Sequence, residues 1–274
     1  MIGIPWPIHI LLLLGMPIVG AQTARRLHRG GITLANALRR VPWLWAVLPL
    51  LGLLLVTHFG LQARPDLWWL LPPWLEVSYL ALIWGGILMI FGLIFGLVIT
   101  LAYLESHPER RKAVFAAVLC VAAVEVAHAR HTRLIGPDLV AHETADGIVL
   151  QTTGVSCAAA SLANWRRLEG HPATEREMAD LMGTTTLGTT AGQVIQGLEQ
   201  IGRVCQKAEL SPEVLVGPAM LFVDHPDIGP DAHAVLHVAR KDGHHEVWDP
   251  AVGRRRLDTA GLRAIWRGRA ITCL

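Results

Sequence analysis

Long apolar runs in the first half of the chain constrain its fold more than any other feature of the sequence. An α-helix rises about 1.5 Å per residue, so about 20 apolar residues cross the hydrocarbon core of a bilayer. The 274-residue chain is 52% hydrophobic and only 17% charged, a composition typical of proteins with membrane spans. We predict an α-helical transmembrane domain with four spans, at residues 4–21, 43–60, 79–102 and 113–129.

Basic residues between these runs predict how the spans are oriented. Residues 25–40 contain several arginines and no acidic residue, and residues 105–112 form a second basic segment. Under the positive-inside rule both are cytoplasmic loops, which places the N-terminus outside. A cleaved signal peptide is the alternative for the first run, because residues 19–21 suit a cleavage site, although no basic residue precedes the run.

The fourth run decides which side of the membrane the second half occupies. Residues 113–129 are rich in Ala and Val, and Ala contributes little to insertion, so a helix lying on the membrane surface is an alternative. We favour a span, because basic residues flank the start of the run; residues 130–274 are then extracytoplasmic, and otherwise cytoplasmic. In the third run, Gly92 and Gly96 have a spacing that lets membrane helices pack closely, although glycine is common in such helices generally.

From about Ile135 the sequence changes to that of an α+β domain, and we place the domain boundary between residues 133 and 134. Thr174 and Glu177 have the spacing of a capping box at the start of a helix. Helices followed by short strands indicate helices packed on an antiparallel sheet. The predicted helices are residues 158–168, 174–182 and 191–201, and the predicted strands are residues 219–223, 234–239, 246–248 and a segment near 270.

Charge and cysteine spacing exclude several functions. The net charge is +2 and no basic stripe is interleaved with aromatic residues, so we predict no nucleic-acid partner. The four cysteines lack C-x-x-C spacing, which argues against a zinc knuckle or a disulfide scaffold. Cys205 and Cys273 could pair if the second half lies outside the cytoplasm, but their spacing does not decide this.

The histidines of the second half do not form a metal-binding pattern. His233 and His237 share one face of a predicted strand, but four residues of strand separate them by about 13 Å, too far for one ion. His244 and His245 follow a turn sequence and are predicted to lie in a solvated hairpin turn. We therefore predict no metal and no cofactor.

Cys157 is the candidate nucleophile. It lies at the start of a helix for which Ser156 is a candidate N-cap, and free backbone N–H groups and the helix dipole stabilise a thiolate at that position. The alternative is a small buried cysteine that serves packing only.

Three residues complete a possible site around this thiol. Gln151 lies six positions earlier, so its amide and the Cys157 backbone N–H could serve one oxyanion hole. His233 begins one predicted strand and Asp249 ends the next. If the two strands form an antiparallel hairpin, imidazole and carboxylate can touch, as a catalytic triad requires.

The second half resembles the papain-like cysteine peptidases that cleave double-glycine leader peptides in bacteriocin maturation and export. The resemblance covers about residues 145–274 and rests on several motifs in order. These are Gln151 six residues before CAAASLA, then ADLMGTTTLGTTAGQVIQGLEQIG, HAVLHVARKDGHHEVWDPAVG and RAIWRGRAI. Each motif alone is weak, but their common order and spacing are specific.

The resemblance implies roles for the four candidate residues. It makes Cys157 the nucleophile, His233 the general base, Asp249 the residue that orients it, and Gln151 a part of the oxyanion hole. It also implies that the subsites before the cut accept only small residues, of the Gly-Gly or Gly-Ala type.

This chain departs from the family pattern in three ways. Ser156 stands where the family usually has Asp, and Ala158 stands where Gly is common. Neither change removes a catalytic group, although the first alters the charge beside the thiol. The chain also has no G-x-x-x-x-G-K-[ST] phosphate loop, so it carries no such motif of the ATPase domain to which family members are often fused.

Together these features predict a membrane-anchored cysteine endopeptidase of the bacterial inner membrane. Its expected partners are a peptide or protein substrate with small residues before the cut, the lipid bilayer, and other membrane proteins. The alternative is a non-catalytic, peptidase-like module that binds a peptide or supports a membrane assembly. Replacement of Cys157 by alanine separates the two, because only a peptidase would lose substrate processing.

Overall fold

The computed structural model describes residues 15–63, 65–105, 112, 119, 126, 129–130 and 133–274. The chain divides into two compact units, one formed by residues 1–63 and 78–129 and the other by residues 64–77 and 130–274. The second unit therefore includes a short segment from the first half of the sequence. The predicted division between residues 133 and 134 left that segment in the membrane domain.

The described part of the N-terminal half is helical. Its helices, numbered in chain order, are α1 (Met16–Arg29), α2 (Ala37–Arg40), α3 (Leu44–Ala63), α4 (Pro65–Trp68) and α5 (Pro73–Leu104). In the first unit, α1, α2, the start of α3 and the end of α5 share one small core. Its buried members include Ala24, Ala37, Leu44, Leu97 and Leu101.

Within the described residues, one helix is long and apolar enough to cross a membrane, at Gly85–Leu104. The prediction of four spans is therefore not supported. The predicted span 43–60 falls largely in α3, whose apolar stretch Leu44–Thr57 is shorter. Residues 4–14 of the first predicted span (4–21) and most of residues 113–129 lie outside the described residues.

Residues 25–40, predicted as a loop, are helical at both ends. Helix α1 continues through Arg25 and Arg26 to Arg29, because arginine is a good helix former and a basic last turn suits the helix dipole. Within the first unit, α1 and α5 approach closely where Gly20 lies near Gly96, and a Cβ on either glycine would overlap the other helix. Gly96, one of the two glycines with small-xxx-small spacing, thus lies at a helix contact.

The second unit packs four helices on a six-stranded antiparallel sheet with strand order β1-β6-β2-β3-β4-β5. The prediction of an α+β domain with an antiparallel sheet is confirmed, but two of the strands and the last helix lacked a predicted counterpart. The helices are α6 (Cys157–Leu168), α7 (Glu175–Met182), α8 (Ala191–Gln200) and α9 (Thr259–Ile265). The strands are β1 (Cys205–Glu209), β2 (Ala219–His225), β3 (Gly229–Lys241), β4 (His244–Asp249), β5 (Gly253–Asp258) and β6 (Trp266–Cys273).

The sheet carries a core on each face. Leu162 of α6 and Leu198 of α8 pack with Leu236 of β3 on one face, whereas Leu262 of α9 packs with Val235 on the other. Successive residues of β3 thus serve opposite faces, as strand geometry requires. This arrangement fixes β3 between the helix that begins at Cys157 and the neighbouring strand β4.

Two capping boxes begin helices of the second unit, and one disulfide joins two of its strands. The Thr174 side chain accepts from the backbone N of Glu177, whose carboxylate accepts from the Thr174 backbone, so the predicted capping box forms. Cys205 and Cys273 are a register pair of β1 and β6 and form a disulfide. The second capping box, Thr190 with Gln193, begins α8.

Candidate active site

Helix α6 begins at Cys157, so the thiol lies in the first turn of the helix. Its side chain is half-buried, and the backbone N–H of Ala234 on β3 donates to its Sγ over 3.5 Å. Ser156 occupies the N-cap position of this helix, as predicted, but its side chain makes no capping hydrogen bond. The Ser156 hydroxyl instead bonds the backbone of Thr153, donating to its carbonyl and accepting from its N–H, each over 3.0 Å, because a tight turn precedes the helix.

His233 is placed beside this thiol by β3. The ring is 7% exposed, and its Nε2 lies 2.8 Å from Asp249 Oδ1. The Cys157 thiol is close enough to act on the pKa of this ring, and its Sγ accepts from the backbone N–H of Ala234, the residue that follows His233 on β3. The ring of His225, at the end of β2, lies edge-on to His233 with centroids 5.8 Å apart.

Charge and burial act against each other on the His233 ring. Burial favours the neutral imidazole and lowers its pKa, but the hydrogen bonds and negative charges of Asp249 and Cys157 outweigh burial and raise the pKa to about 9. The imidazolium is therefore the favoured form at neutral pH when the sulfur is a thiolate. Such an ion pair is the resting state that a thiol nucleophile needs.

Asp249 is held in place on both of its carboxylate oxygens. Oδ1 accepts from His233 and from the backbone N–H of Ala251 at 2.9 Å, and Oδ2 accepts from Arg255 Nη1 at 3.2 Å. Burial raises the pKa of this carboxyl, but these donors and the His233 charge outweigh burial and lower it. Asp249 thus stays ionised and orients the imidazole.

Gln151 is tied to the same site through its backbone. Its N–H donates to the carbonyl of Pro250, next to Asp249, over 2.8 Å. Its Oε1 is buried and has no hydrogen-bond partner among the described residues. The structure therefore brings Gln151, Cys157, His233 and Asp249 into one region of the second unit.

Two buried polar residues that the sequence reasoning missed hold the segment before Cys157. The Asn164 amide donates to the Val149 carbonyl at 2.9 Å and accepts from the Val149 N–H at 2.7 Å. The Glu175 carboxylate accepts from the backbone N–H of Thr152 at 2.9 Å. These bonds fix the backbone on either side of Gln151.

A helical spacing could have revealed part of this support. Ser161 and Asn164 lie four and seven residues after Cys157, so all three share one face of α6. The Ser161 hydroxyl donates to the Ala234 carbonyl at 3.0 Å, which ties the helix of the thiol to the strand of the imidazole. Polar residues on an otherwise apolar helix face were the available signal.

The prediction that His245 lies in a solvated turn is wrong. Asp242 and Gly243 form the turn, with positive φ at both residues, whereas His245 is fully buried on β4. Its Nδ1 lies 3.1 Å from Nε2 of the buried His237. These histidines pack with each other across β3 and β4, and among the described residues no three His, Cys, Asp or Glu side chains form a group suited to a metal ion.

The assembled groups can perform nucleophilic acyl transfer. Cys157 is only half-buried, the ring of His233 can give or take a proton, and Asp249 fixes that ring. This is the arrangement of nucleophile, base and orienting group that defines a catalytic triad.

Comparison with known proteins identifies the domain that carries this site. The model of the peptidase C39 family matches residues 146–274. An uncharacterised protein of Methanothermobacter marburgensis is 30% identical over 124 residues, which are 45% of this chain and 85% of that protein.

Two solved structures of similar fold are peptidases linked to transporters. A double-glycine motif protease from an AMS/PCAT transporter, solved with its leader peptide, is 19% identical, with 46% of this chain and 89% of that chain covered and a TM-score of 0.41. The peptidase domain of Streptococcus ComA, a bi-functional ABC transporter of a quorum-sensing pathway, is also 19% identical, with 45% and 94% covered and a TM-score of 0.41. The family match shows that residues 146–274 form a domain of the peptidase C39 family.

Proposed function

We propose that this chain is a membrane-anchored cysteine endopeptidase that cleaves after small residues of the Gly-Gly type, in a leader or membrane-proximal segment of its substrate. The observation that carries the proposal is the position of His233 beside two groups. Its Nε2 lies 2.8 Å from Asp249 Oδ1, and the residue after it, Ala234, donates its backbone N–H over 3.5 Å to the Sγ of Cys157 at the first turn of α6. A buried imidazole with these two partners suits a thiolate–imidazolium pair.

The reaction begins when the Cys157 thiolate attacks the carbonyl carbon of the scissile bond. A carbon–sulfur bond forms and the carbonyl electron pair moves to oxygen, where the Cys157 backbone N–H and the Gln151 side-chain amide stabilise the charge. The C–N bond then breaks as His233 gives its proton to the leaving amine. Water attacks the thioester, giving a proton to His233, and the C–S bond breaks to free the acid.

Substrate choice is inferred from the family and from relatives. The solved AMS/PCAT protease binds a leader peptide, which supports a peptide with a double-glycine motif as the substrate class here. Small residues before the cut leave the peptide backbone narrow enough to reach a half-buried sulfur such as that of Cys157.

Two observations support an extracytoplasmic domain anchored in the inner membrane. The helix Gly85–Leu104 meets the length and composition of a span. The disulfide between Cys205 and Cys273 suits an oxidising compartment, since cytosolic disulfides are rare. The extracytoplasmic position is tested by labelling a cysteine placed near residue 135 with a membrane-impermeant reagent in intact spheroplasts. Labelling is expected, and protection of this cysteine contradicts an extracytoplasmic domain.

N-terminal sequencing of membrane and secreted proteins tests the reaction itself. Cells with the wild-type chain are expected to contain a new N-terminus directly after a pair of small residues, and cells with Cys157→Ala are expected to lack it. A processed N-terminus that persists in the Cys157→Ala cells would leave the enzyme proposal without support.

A further inference from the structure

Residues 67–77, called the strap here, are held by the sheet of the peptidase unit although they come from the first half of the chain. Lys207 on β1 makes the central contacts. Its Nζ donates to the carbonyl oxygens of Leu71 at 2.8 Å, Trp69 at 3.3 Å and Trp68 at 3.4 Å, and to the carboxylate of Glu76 at 2.6 Å. One ammonium group therefore binds both the backbone and a side chain of the strap.

The far end of the strap is buried against α8. Glu76 is 3% exposed and also accepts from the backbone N–H of Gly192 at 3.1 Å. A Cβ at Gly192 would lie 2.8 Å from the carbonyl oxygen of Pro73, so only glycine fits this approach. A buried and hydrogen-bonded ion pair costs several kcal/mol to break on one side, and the strap is therefore a fixed part of the unit.

The middle of the strap contacts strands β2 and β6 of the sheet. The ring of Trp69 packs edge-on against Phe222 of β2, with centroids 5.6 Å apart. The guanidinium of Arg269 on β6 lies over the same ring at 5.6 Å. A cation over an indole face is attracted to it and gains from being partly removed from water.

Arg269 also contacts Asp231, which lies near the start of β3. Its Nη1 donates to Asp231 Oδ2 at 2.8 Å. Asp231 has a φ of 54°, which is unfavourable for a non-glycine residue and persists only where its surroundings hold it. The second restraint is the Asp224 carboxylate, which accepts from the Asp231 N–H at 3.1 Å. His233 follows two residues later.

We propose that the strap positions the active site, because Trp69 holds Arg269, Arg269 holds Asp231, and Asp231 sets where β3 presents His233. Trp69 is thus a positioning residue supplied by the loop between the two longest helices of the N-terminal half. The inference rests on the proposed function, since it assigns His233 to the thiol of Cys157.

The experiment measures alkylation of Cys157 by iodoacetamide in the full-length protein, in a Cys120→Ser background, together with peptide cleavage. Wild-type protein is expected to react at pH 6 much faster than glutathione, whose thiol is almost fully protonated there. Trp69→Leu keeps an apolar side chain but removes the ring from Arg269. It is expected to slow alkylation at pH 6 and to lower kcat by about tenfold, with a smaller change in KM.

Matched variants separate positioning from folding. Trp69→Phe keeps an aromatic face and is expected to restore part of the rate. Trp74→Leu changes a tryptophan of the same strap that is 68% exposed, and its rates are expected to equal those of the wild type. Arg269→Gln is expected to reproduce Trp69→Leu, and the double variant to be no slower than either single variant, because both act through one contact.

The outcomes distinguish this inference from the proposed function. A wild-type thiol that reacts at pH 6 no faster than glutathione contradicts the enzyme proposal. A reactive wild-type thiol with unchanged rates in both Trp69→Leu and Arg269→Gln contradicts the positioning role. Faster cleavage in Trp69→Leu also contradicts it, and would make the strap an inhibitory cover. If Trp69→Leu does not fold, Arg269→Gln alone decides.

Discussion

Arg255 on β5 donates from its Nη1 to Asp249 Oδ2 at 3.2 Å, whereas His233 contacts the other carboxylate oxygen, Oδ1. The carboxylate of Asp249 is therefore held between an imidazole on one strand and a guanidinium on another. The Arg255 side chain is 39% exposed, so solvent weakens this interaction, and pairs of this kind contribute up to about 1 kcal/mol.

Arg255→Gln is expected to lower kcat/KM by about two- to fivefold, the factor that corresponds to such a pair. The loss should be larger at acidic pH, because Asp249 loses a donor that lowers its pKa and becomes protonated more readily. A pH–rate profile measures this. Arg254→Gln, which changes a more exposed arginine of the same strand, is the control, and an equal effect of both substitutions would contradict a specific role for Arg255.

Asp249→Asn is expected to lower kcat by about 100-fold at pH 7, because the proton donor is no longer held in its charged and oriented form. Asp249 helps to raise the pKa of His233 to about 9, so its removal lowers that pKa. Activity that requires the imidazolium is lost as pH rises through the pKa, and the alkaline limb of the profile therefore moves to lower pH. Asp242→Asn, in an exposed turn, should change neither kcat nor the position of the alkaline limb. If the alkaline limb of Asp249→Asn stays at the pH of the wild type, the proposed role of the carboxylate in the mechanism is contradicted.

Asn164→Leu is expected to destabilise the peptidase unit by about 2–4 kcal/mol, because a buried backbone N–H and carbonyl of Val149 both lose their partner. Urea unfolding of the full-length protein measures the change. Ser161→Ala removes one buried hydrogen bond and should cost about 1 kcal/mol. Equal costs for the two substitutions would contradict the special role of the Asn164 amide.

The buried pair of His237 and His245 predicts a loss of stability in acid. His237 Nδ1 donates to the Gly217 carbonyl at 2.8 Å, so its Nε2 must accept from His245 and has no place for a proton. Burial lowers the pKa of His237 to about 4. A histidine with a lowered folded pKa binds its proton more readily when unfolded, so its contribution is present above the unfolded pKa and is lost as pH falls from about 6.5 to 4.

The size of that loss is up to about 3 kcal/mol for this one group. His237→Gln can still donate and accept hydrogen bonds but does not titrate, so its unfolding free energy should fall less between pH 6.5 and 4. Urea unfolding at several pH values compares the two proteins. Parallel curves for wild type and His237→Gln would show that this pair does not cause the acid sensitivity.

Local patterns predicted those parts of the fold whose cause is local. The capping box of Thr174 and Glu177 and the helix after Cys157 depend on neighbours within one turn, and both elements form as expected. Strands β2, β3 and β4 contain apolar runs and were also predicted. The pairing of β3 with β4 as neighbours brings His233 to Asp249.

Features that depend on distant partners could not be predicted in the same way. Strand β5 is rich in arginine and β1 has no apolar alternation, so only their places at the sheet edges make them strands. His245 follows a turn sequence, yet its burial depends on His237 eight residues away. The packing of Trp69 depends on Phe222 and Arg269, which no local pattern connects to it.

The distance along the chain between Lys207 and the carbonyl groups that it binds has a consequence for biosynthesis. Trp69 precedes Lys207 by 138 positions, so a ribosome releases the strap long before the residues that hold it. The apolar helices on either side of the strap also emerge first, while the loop between them is still unbound. The C39 domain then completes its fold by closing onto a loop that left the ribosome earlier, and the order of translation thus sets the order in which the strap and the sheet become available.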